Sequence, residues 1–442
     1  MKRTFSFFAA SAVLVGSGTA LVAATYGLVR LAYGLFLPDV QDAIGLGDGP
    51  AGWIASGSSV VYCIGALVGF VLAPARPRSA VVLAALTAGL GVAGMAASTT
   101  PLVFGTAAVV SSAGAGLASP ALVRLVQRDL SAERVNGAQA VVNSGTGPGL
   151  VAAGVLALVL LPDWRAAWAV AAVVTVGAGA AVLLADRAAA APATGTGPTT
   201  GTGRPPHTER RPSPVPPRAW FAAHRGPVLV ALLLGAGSAA VWTYGRTLLV
   251  DAGAPTVLSV VAWIALGTGG AAVGLTSRWL GRLPARTAWA RTATAVALAT
   301  LGLGLAAQLH GVTLTAVALV SCAVFGWGYT AATGALISWT TELDRDRAAS
   351  GTSVLFVVLV LGQALGAAVA GSALPAVGAG PVFVVAAVVV AHGVAPALAV
   401  VPALRGLPAL RSPRRCPARR ASPRSTPAEP AGDAASPPRG TR

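Results

Sequence analysis

Twelve apolar stretches, each about long enough to cross a bilayer, divide this chain into two sets of six around a basic, Pro/Gly-rich middle. No other feature narrows the fold as far, because it names the solvent. A hydrocarbon core about 30 Å thick needs roughly 20 apolar helical residues to span it. The stretches lie at roughly 11–36, 51–72, 80–98, 101–123, 138–161, 167–185, 227–250, 256–276, 287–307, 312–338, 350–374 and 381–403. They are rich in Ala, Val, Leu and Gly and lack the polar alternation of barrel strands. Charged residues make up 10% of the chain, where a soluble chain carries about 25%. The expected fold class is all-α integral membrane, with twelve transmembrane helices in two pseudo-symmetric six-helix bundles at 1–187 and 227–405.

A net charge of +17 would fit a nucleic-acid partner if it formed one patch. Its placement excludes that reading. Lys2 and Arg3 precede the first stretch, Arg76 and Arg78 follow the second, and Arg124, Arg128 and Arg134 follow the fourth. Arg187 to Arg225 fill the middle segment, Arg278, Arg282 and Arg286 follow the eighth stretch, and Arg345 and Arg347 follow the tenth. The tail carries Arg405, Arg411 and more. The alternate loops hold Asp39, Asp42, Asp48, Asp163 and Asp251, with Arg165 as their only Arg. Basic loops stay in the cytoplasm, so a multi-pass plasma-membrane protein with both termini cytoplasmic is expected.

Residues 188–226 and 406–442 are Pro- and Arg-rich and too polar to bury a core, so they are expected as a disordered cytoplasmic linker and tail. The tail's Arg cluster would meet anionic lipid head groups. Met1-Lys2-Arg3 before an apolar run resembles a signal peptide. The run continues to Leu37, however, and cleavage would break the even count of helices, so a retained first helix is expected. Cys63, Cys322 and Cys416 give no disulfide framework.

Enzyme chemistry has no foothold. Gly89-Leu90-Gly91-Val92-Ala93-Gly94 matches a dinucleotide fingerprint literally, but it lies inside a membrane span with no preceding strand, where glycines serve helix contacts. There is no nucleophile elbow, no His-Glu-x-x-His and no Walker lysine, and no cofactor or metal is expected. The informative residues are polar ones inside spans. Arg30 costs several kcal/mol there unless it faces protein or water, and Tyr26 and Tyr33 share its helical face. Such a cation between phenols would grip an anion or gate its access; the alternative is snorkelling to the nearby interface. Arg246, beside Tyr244, reads as snorkelling or as a local pair with Asp251, with a matching site role as the alternative. Asn143 and Gln363 line a site or make interhelical hydrogen bonds. Trp327 and Tyr329 line a cavity or pack in the core. No acid stands mid-span, which leaves Asp39, at the outer mouth, as the weak candidate for ion coupling.

The two sets echo each other: Gly65-x-x-x-Gly69 and Gly270-x-x-x-Gly274 each precede a short basic loop, and Thr25-Tyr26-Gly27 matches Thr243-Tyr244-Gly245. On these residues the chain resembles the major facilitator superfamily over 5–405. The family's loop pattern, Gly-x-x-x-Asp-Arg-x-Gly-Arg, appears as Gly274 to Arg282 with Arg278 in place of Asp. The first copy keeps Gly69, with Ala73 and Pro74 where Asp and Arg stand. The first helix, Arg30-Leu31-Ala32-Tyr33, is similar to that of a poorly characterised bacterial branch. The resemblance implies a cytoplasmic latch involving Gly69, Arg76, Gly274, Gly281 and Arg282. It implies a monomeric secondary active transporter that moves a small organic solute by alternating access. An efflux permease driven by an ion gradient, with a coupling proton as the expected partner, is the leading expectation. The alternatives are an uptake carrier for a small organic anion and a non-transporting membrane receptor or sensor.

Overall fold

The computed structural model describes residues 2–190 and 218–399, and all regular secondary structure among them is helical. Twelve helices are long and apolar enough to cross a membrane. In the first set they are Ala12–Ile44, Asp48–Leu72, Pro77–Ala97, Pro101–Asp129, Glu133–Leu160 and Trp164–Arg187. In the second they are Arg225–Asp251, Thr256–Leu280, Ala285–Ala306, Gly311–Leu343, Ala348–Val377 and Ala379–Ala397. We number them spans 1 to 12. Each falls on an apolar stretch expected from the sequence, with ends moved by a few residues except in span 1.

Span 1 was expected to stop near 36, ahead of Pro38. Instead the helix passes through Pro38 and ends at Gly45, whose φ of 67° makes a left-handed cap with its N–H on Gln41 O. Proline removes the N–H that would bond the carbonyl four residues back, and membrane helices tolerate that where a neighbour covers the gap. Here the neighbour is span 7. A Cβ on Gly34 would lie 2.1 Å from Trp242 O, so only glycine lets the two backbones approach this closely. As a result Asp39 and Asp42 occupy the last turns of a helix rather than a loop.

Each set repeats one packing scheme. Spans 2 and 4, 3 and 4, and 3 and 6 pack together in the first set, and spans 8 and 10, 9 and 10, and 9 and 12 in the second. Spans 1 and 5 match spans 7 and 11 in the same way. The two bundles meet along spans 1 and 7, 2 and 11, and 5 and 8, and everything through Ala399 forms one compact unit. Lipid gives helices no hydrophobic reason to associate, so small residues at the crossings carry the packing. The dinucleotide-like Gly91 is one of them, set against Ser111 of span 4.

The linker expected at 188–226 is shorter than that among the described residues. Span 6 continues as helix to Ala190, and Arg218–Ala223 is helical ahead of span 7. Trp220 and His224 are buried there, stacked 3.6 Å apart, with His224 Nε2 3.0 Å from Thr340 Oγ1 of span 10. Composition marks this stretch as polar and Pro-rich; His224 bonded to span 10 and Trp220 set against Gly351 of span 11 fold its end nonetheless. The remainder of the linker, the tail and Cys416 lie outside the described residues.

Candidate functional site

The molecule has an acidic end, where Asp39, Asp48, Asp163 and Asp251 sit, and a basic end, where spans 2, 4, 6, 8 and 10 finish. Side-chain bonds between the two bundles start at the acidic end. Arg246 of span 7, 2% exposed, donates to Asp39 and to Leu35 O (2.6 Å) of span 1, and to Ser259 Oγ (3.1 Å) of span 8. Tyr244 donates to Asp48 O at 2.7 Å, bringing spans 7 and 2 together. Mid-depth contacts follow: Arg30 to Gln363, and the Cys63 thiol 3.9 Å from Val357 O. Beyond Cys63 toward the basic end, no hydrogen bond or ion pair among the described residues joins the bundles. Among the described residues, the hydrogen bonds and ion pairs found across the seam thus run from the acidic end to mid-depth.

Arg30 sits where the seam stops. Span 1 opens into a π-helix over Ala23–Arg30, with Leu31 N–H bonded to Tyr26 O at 2.9 Å. Such wide turns occur mostly as local bulges, often at functional sites. One face of this turn is pinned against span 5, since a Cβ on Gly27 would meet Gly149 Cα at 2.7 Å. The guanidinium lies over two phenol rings, 5.2 Å from the centroid of Tyr26 and 4.7 Å from that of Tyr62. Its Nη2 donates to Gln363 Oε1 (3.1 Å) and Ser59 Oγ (3.4 Å). Gln363 in turn donates from Nε2 to Tyr329 Oη at 3.0 Å, and Tyr329 stacks on Phe325 and meets Trp242 edge-on. Beside this chain lies a cavity of about 50 Å³, lined by Arg30 and Tyr33 of span 1, Ser58 and Ser59 of span 2, Met95, Ser111, Ser112, Trp242, Thr243 and Gln363. Such a cavity is large enough to hold water in this conformer.

The snorkelling alternative for Arg30 does not hold, because its head group is held inside the bundle by Tyr26, Tyr62, Ser59 and Gln363. The shared face expected for Tyr26, Arg30 and Tyr33 is half right. The π-turn and the bend after it shift the register, and Tyr33 points its hydroxyl to Ala51 O at 3.0 Å and its ring toward Phe104. Tyr62, on another helix, supplies the second ring, and sequence spacing alone could not have located it. Arg246 neither snorkels nor pairs with Asp251; it reaches across the seam to Asp39. Of the other expected residues, Asn143 is exposed at the break in span 5, away from the cavity. Trp327 donates to Thr276 Oγ1 at 2.9 Å within the second bundle and does not line the cavity either.

A family model described as Major Facilitator Superfamily matches residues 19–367. The chain belongs to the Major Facilitator Superfamily. Solved structures agree on the fold. A POT family transporter in complex with a thioalcohol-conjugated peptide aligns at TM-score 0.71 and 13% identity, covering 89% of this chain and 96% of that one. The nucleoside transporter NupG aligns at TM-score 0.67 and 13% identity, covering 90% and 100%. A bacterial homologue of the human lysosomal transporter Spinster, inward-facing and unoccupied, aligns at TM-score 0.61 and 12% identity, covering 90% and 94%. No curated protein sequence matches this one.

The family's basic-end loops look unlike the expected latch. Gly69 packs against Leu117 and Pro120 of span 4, while Gly274 and Gly281 are exposed. The Arg76 and Arg282 side chains are exposed and have no hydrogen-bond or ion-pair partner among the described residues. The ion cluster at this end lies elsewhere in the superfamily fold. Asp186, fully buried at the end of span 6, accepts from both Arg78 and Arg128, and Arg128 also reaches Asp129 at 2.7 Å. Asp186 was overlooked in the sequence because it stands beside Arg187 in a stretch read as basic; an acid on the otherwise basic side was the available signal.

Proposed function

We propose that this chain is a secondary active transporter that carries a small organic solute through the Arg30 cavity by alternating access. The observation that supports it most is the seam: among the described residues, the bonds found across it run from Arg246–Asp39 at the acidic end to Cys63–Val357 at mid-depth. Rocking the bundles about mid-depth would close the free end and release the fastened one, which is the motion alternating access needs. On the reading that basic loops are cytoplasmic, this conformer is closed to the outside and loosened toward the cytoplasm, and reporter fusions after Arg187 that fold only outside the cytoplasm should be silent. No ATP-binding sequence is present, so a gradient must drive the cycle; direction then follows from that gradient, since a rocking carrier runs both ways. The leading expectation from the sequence was export. Arg30 at the cavity favours the second reading, uptake of an anion.

The test is a reversible clamp. Gly49 lies against Gly371 O, and Ser372 follows it in the chain. Cysteines at Gly49 and Ser372, in protein lacking native cysteines, should be bridgeable by a short cleavable reagent. Bridging should stop solute flux in proteoliposomes, and cleaving the bridge should restore it. Undiminished flux through the bridged protein would defeat the proposal.

A further inference from the structure

The chemistry of the Arg30 cavity defines what class of solute it takes, given the transport reading above. Arg30 is the sole charged side chain among those lining it. A guanidinium offers five N–H donors. Only Nη2 is engaged, and both its acceptors are neutral: Gln363 Oε1 and Ser59 Oγ. Nε is buried with no acceptor, and Nη1 has none among the described residues. Asp39, the nearer of the two acids on the same span, is committed to Arg246. A cation in the membrane interior is costly unless something compensates it, and two phenol faces repay part of that cost. The rest is open to a ligand.

We propose that the cavity binds the carboxylate of a small organic monoanion, gripped by the fork of Arg30. In the unloaded protein the amide of Gln363 stands in for that carboxylate. It presents one oxygen to Nη2 and is steadied from behind by Tyr329. An arriving carboxylate takes Nη2 and a neighbouring N–H together, the planar geometry that guanidinium matches best, and releases Gln363. Arg30 belongs to the first bundle and Gln363 to the second, so loading removes their mid-depth bond while the anion's body meets Trp242 and Met95. Loading and movement of the seam are thereby coupled. A single positive charge with no second basic residue nearby favours a monoanion over a phosphate dianion.

The test is binding to the purified full chain in nanodiscs, read by thermal unfolding and by tryptophan fluorescence. The probes are acetate, benzoate and indole-3-acetate, with benzamide as a neutral match and phenyl phosphate as a dianion. At least one carboxylate should stabilise the protein, and benzamide and phenyl phosphate should bind at least about tenfold more weakly. Arg30→Lys should lose about tenfold or more in carboxylate affinity. Gln363→Met, which removes the competing amide and keeps the volume, should bind the carboxylate more tightly than the native chain. Equal binding of benzoate and benzamide, no binding of any carboxylate, or binding in Gln363→Met no tighter than in the native chain would each overturn the proposal. The clamp experiment is independent: failure here with a working clamp leaves a carrier of some other solute class.

Discussion

Replacing Asp39 by Ala should unfasten the acidic end of the seam. Arg246 is 2% exposed and keeps two partners in that variant, Leu35 O and Ser259 Oγ. It loses its only counter-ion. Breaking a fully buried pair costs about 3–5 kcal/mol, but the Asp39 side chain is 17% exposed, so the range for a hydrogen bond to a charged group, about 1.5–3 kcal/mol, is the better guide. The penalty falls on the fastened conformer alone, because the open one has already parted the two residues. The ratio of fastened to open protein should therefore drop by roughly ten- to a hundredfold. Spin labels on the exposed positions Ala43 and Thr256, one on each bundle at this end, would report it by double electron–electron resonance. A new, longer-distance population should appear in Asp39→Ala and shrink in Asp39→Glu. An unchanged distance distribution in Asp39→Ala would show that the ion pair does not hold the seam.

Three further changes probe the same scheme. Gly34→Ala would push a methyl into Trp242 O, and overpacking of about 1–3 kcal/mol should shift the spin-label distances the same way as Asp39→Ala, with no change of charge; an unshifted distribution would mean that spans 1 and 7 need not touch. Asp186→Asn strips two charged hydrogen bonds from Arg78 and Arg128, which are nearly half exposed and can turn to water, so a loss of about 2–3 kcal/mol should lower the unfolding midpoint by several degrees in a thermal melt. Arg76→Gln and Arg282→Gln should each stay within about 0.5 kcal/mol of the native chain in the same melt, because both side chains are exposed and neither has a partner among the described residues; a marked loss in Arg282→Gln alone would restore the family's latch to the second loop.

The fold was legible because membrane solvent imposes its rule on every span: each apolar stretch had to be a helix, and each is. Span ends were less legible where one residue carried two meanings. Pro38 is a stop signal in water and a tolerated residue where span 7 packs closely against the turn before it. At the site, the cost of a buried cation identified Arg30, and a polar residue inside span 11 identified Gln363. What joined them was out of reach. Tyr62 lies on span 2 and Gln363 on span 11, and the partner of Arg246 is Asp39, two hundred residues away in the chain. Local spacing proposed Tyr33 and Asp251 instead. Tyr33 does line the cavity with Arg30, but the π-turn over Ala23–Arg30 breaks the α-helical register and its ring does not lie on the guanidinium.

Side-specific labelling of the cavity puts the alternating seam to the most direct test. Ser58 lines it without bonding Arg30, so a cysteine there, in protein lacking native cysteines, can report which face of the membrane reaches the site. An impermeant maleimide should label Ser58→Cys from the basic side in the otherwise native chain, and increasingly from the acidic side once Asp39→Ala is added. Labelling from both sides at equal rate in the native chain, or from the basic side alone in both, would contradict a cavity that opens to one side at a time.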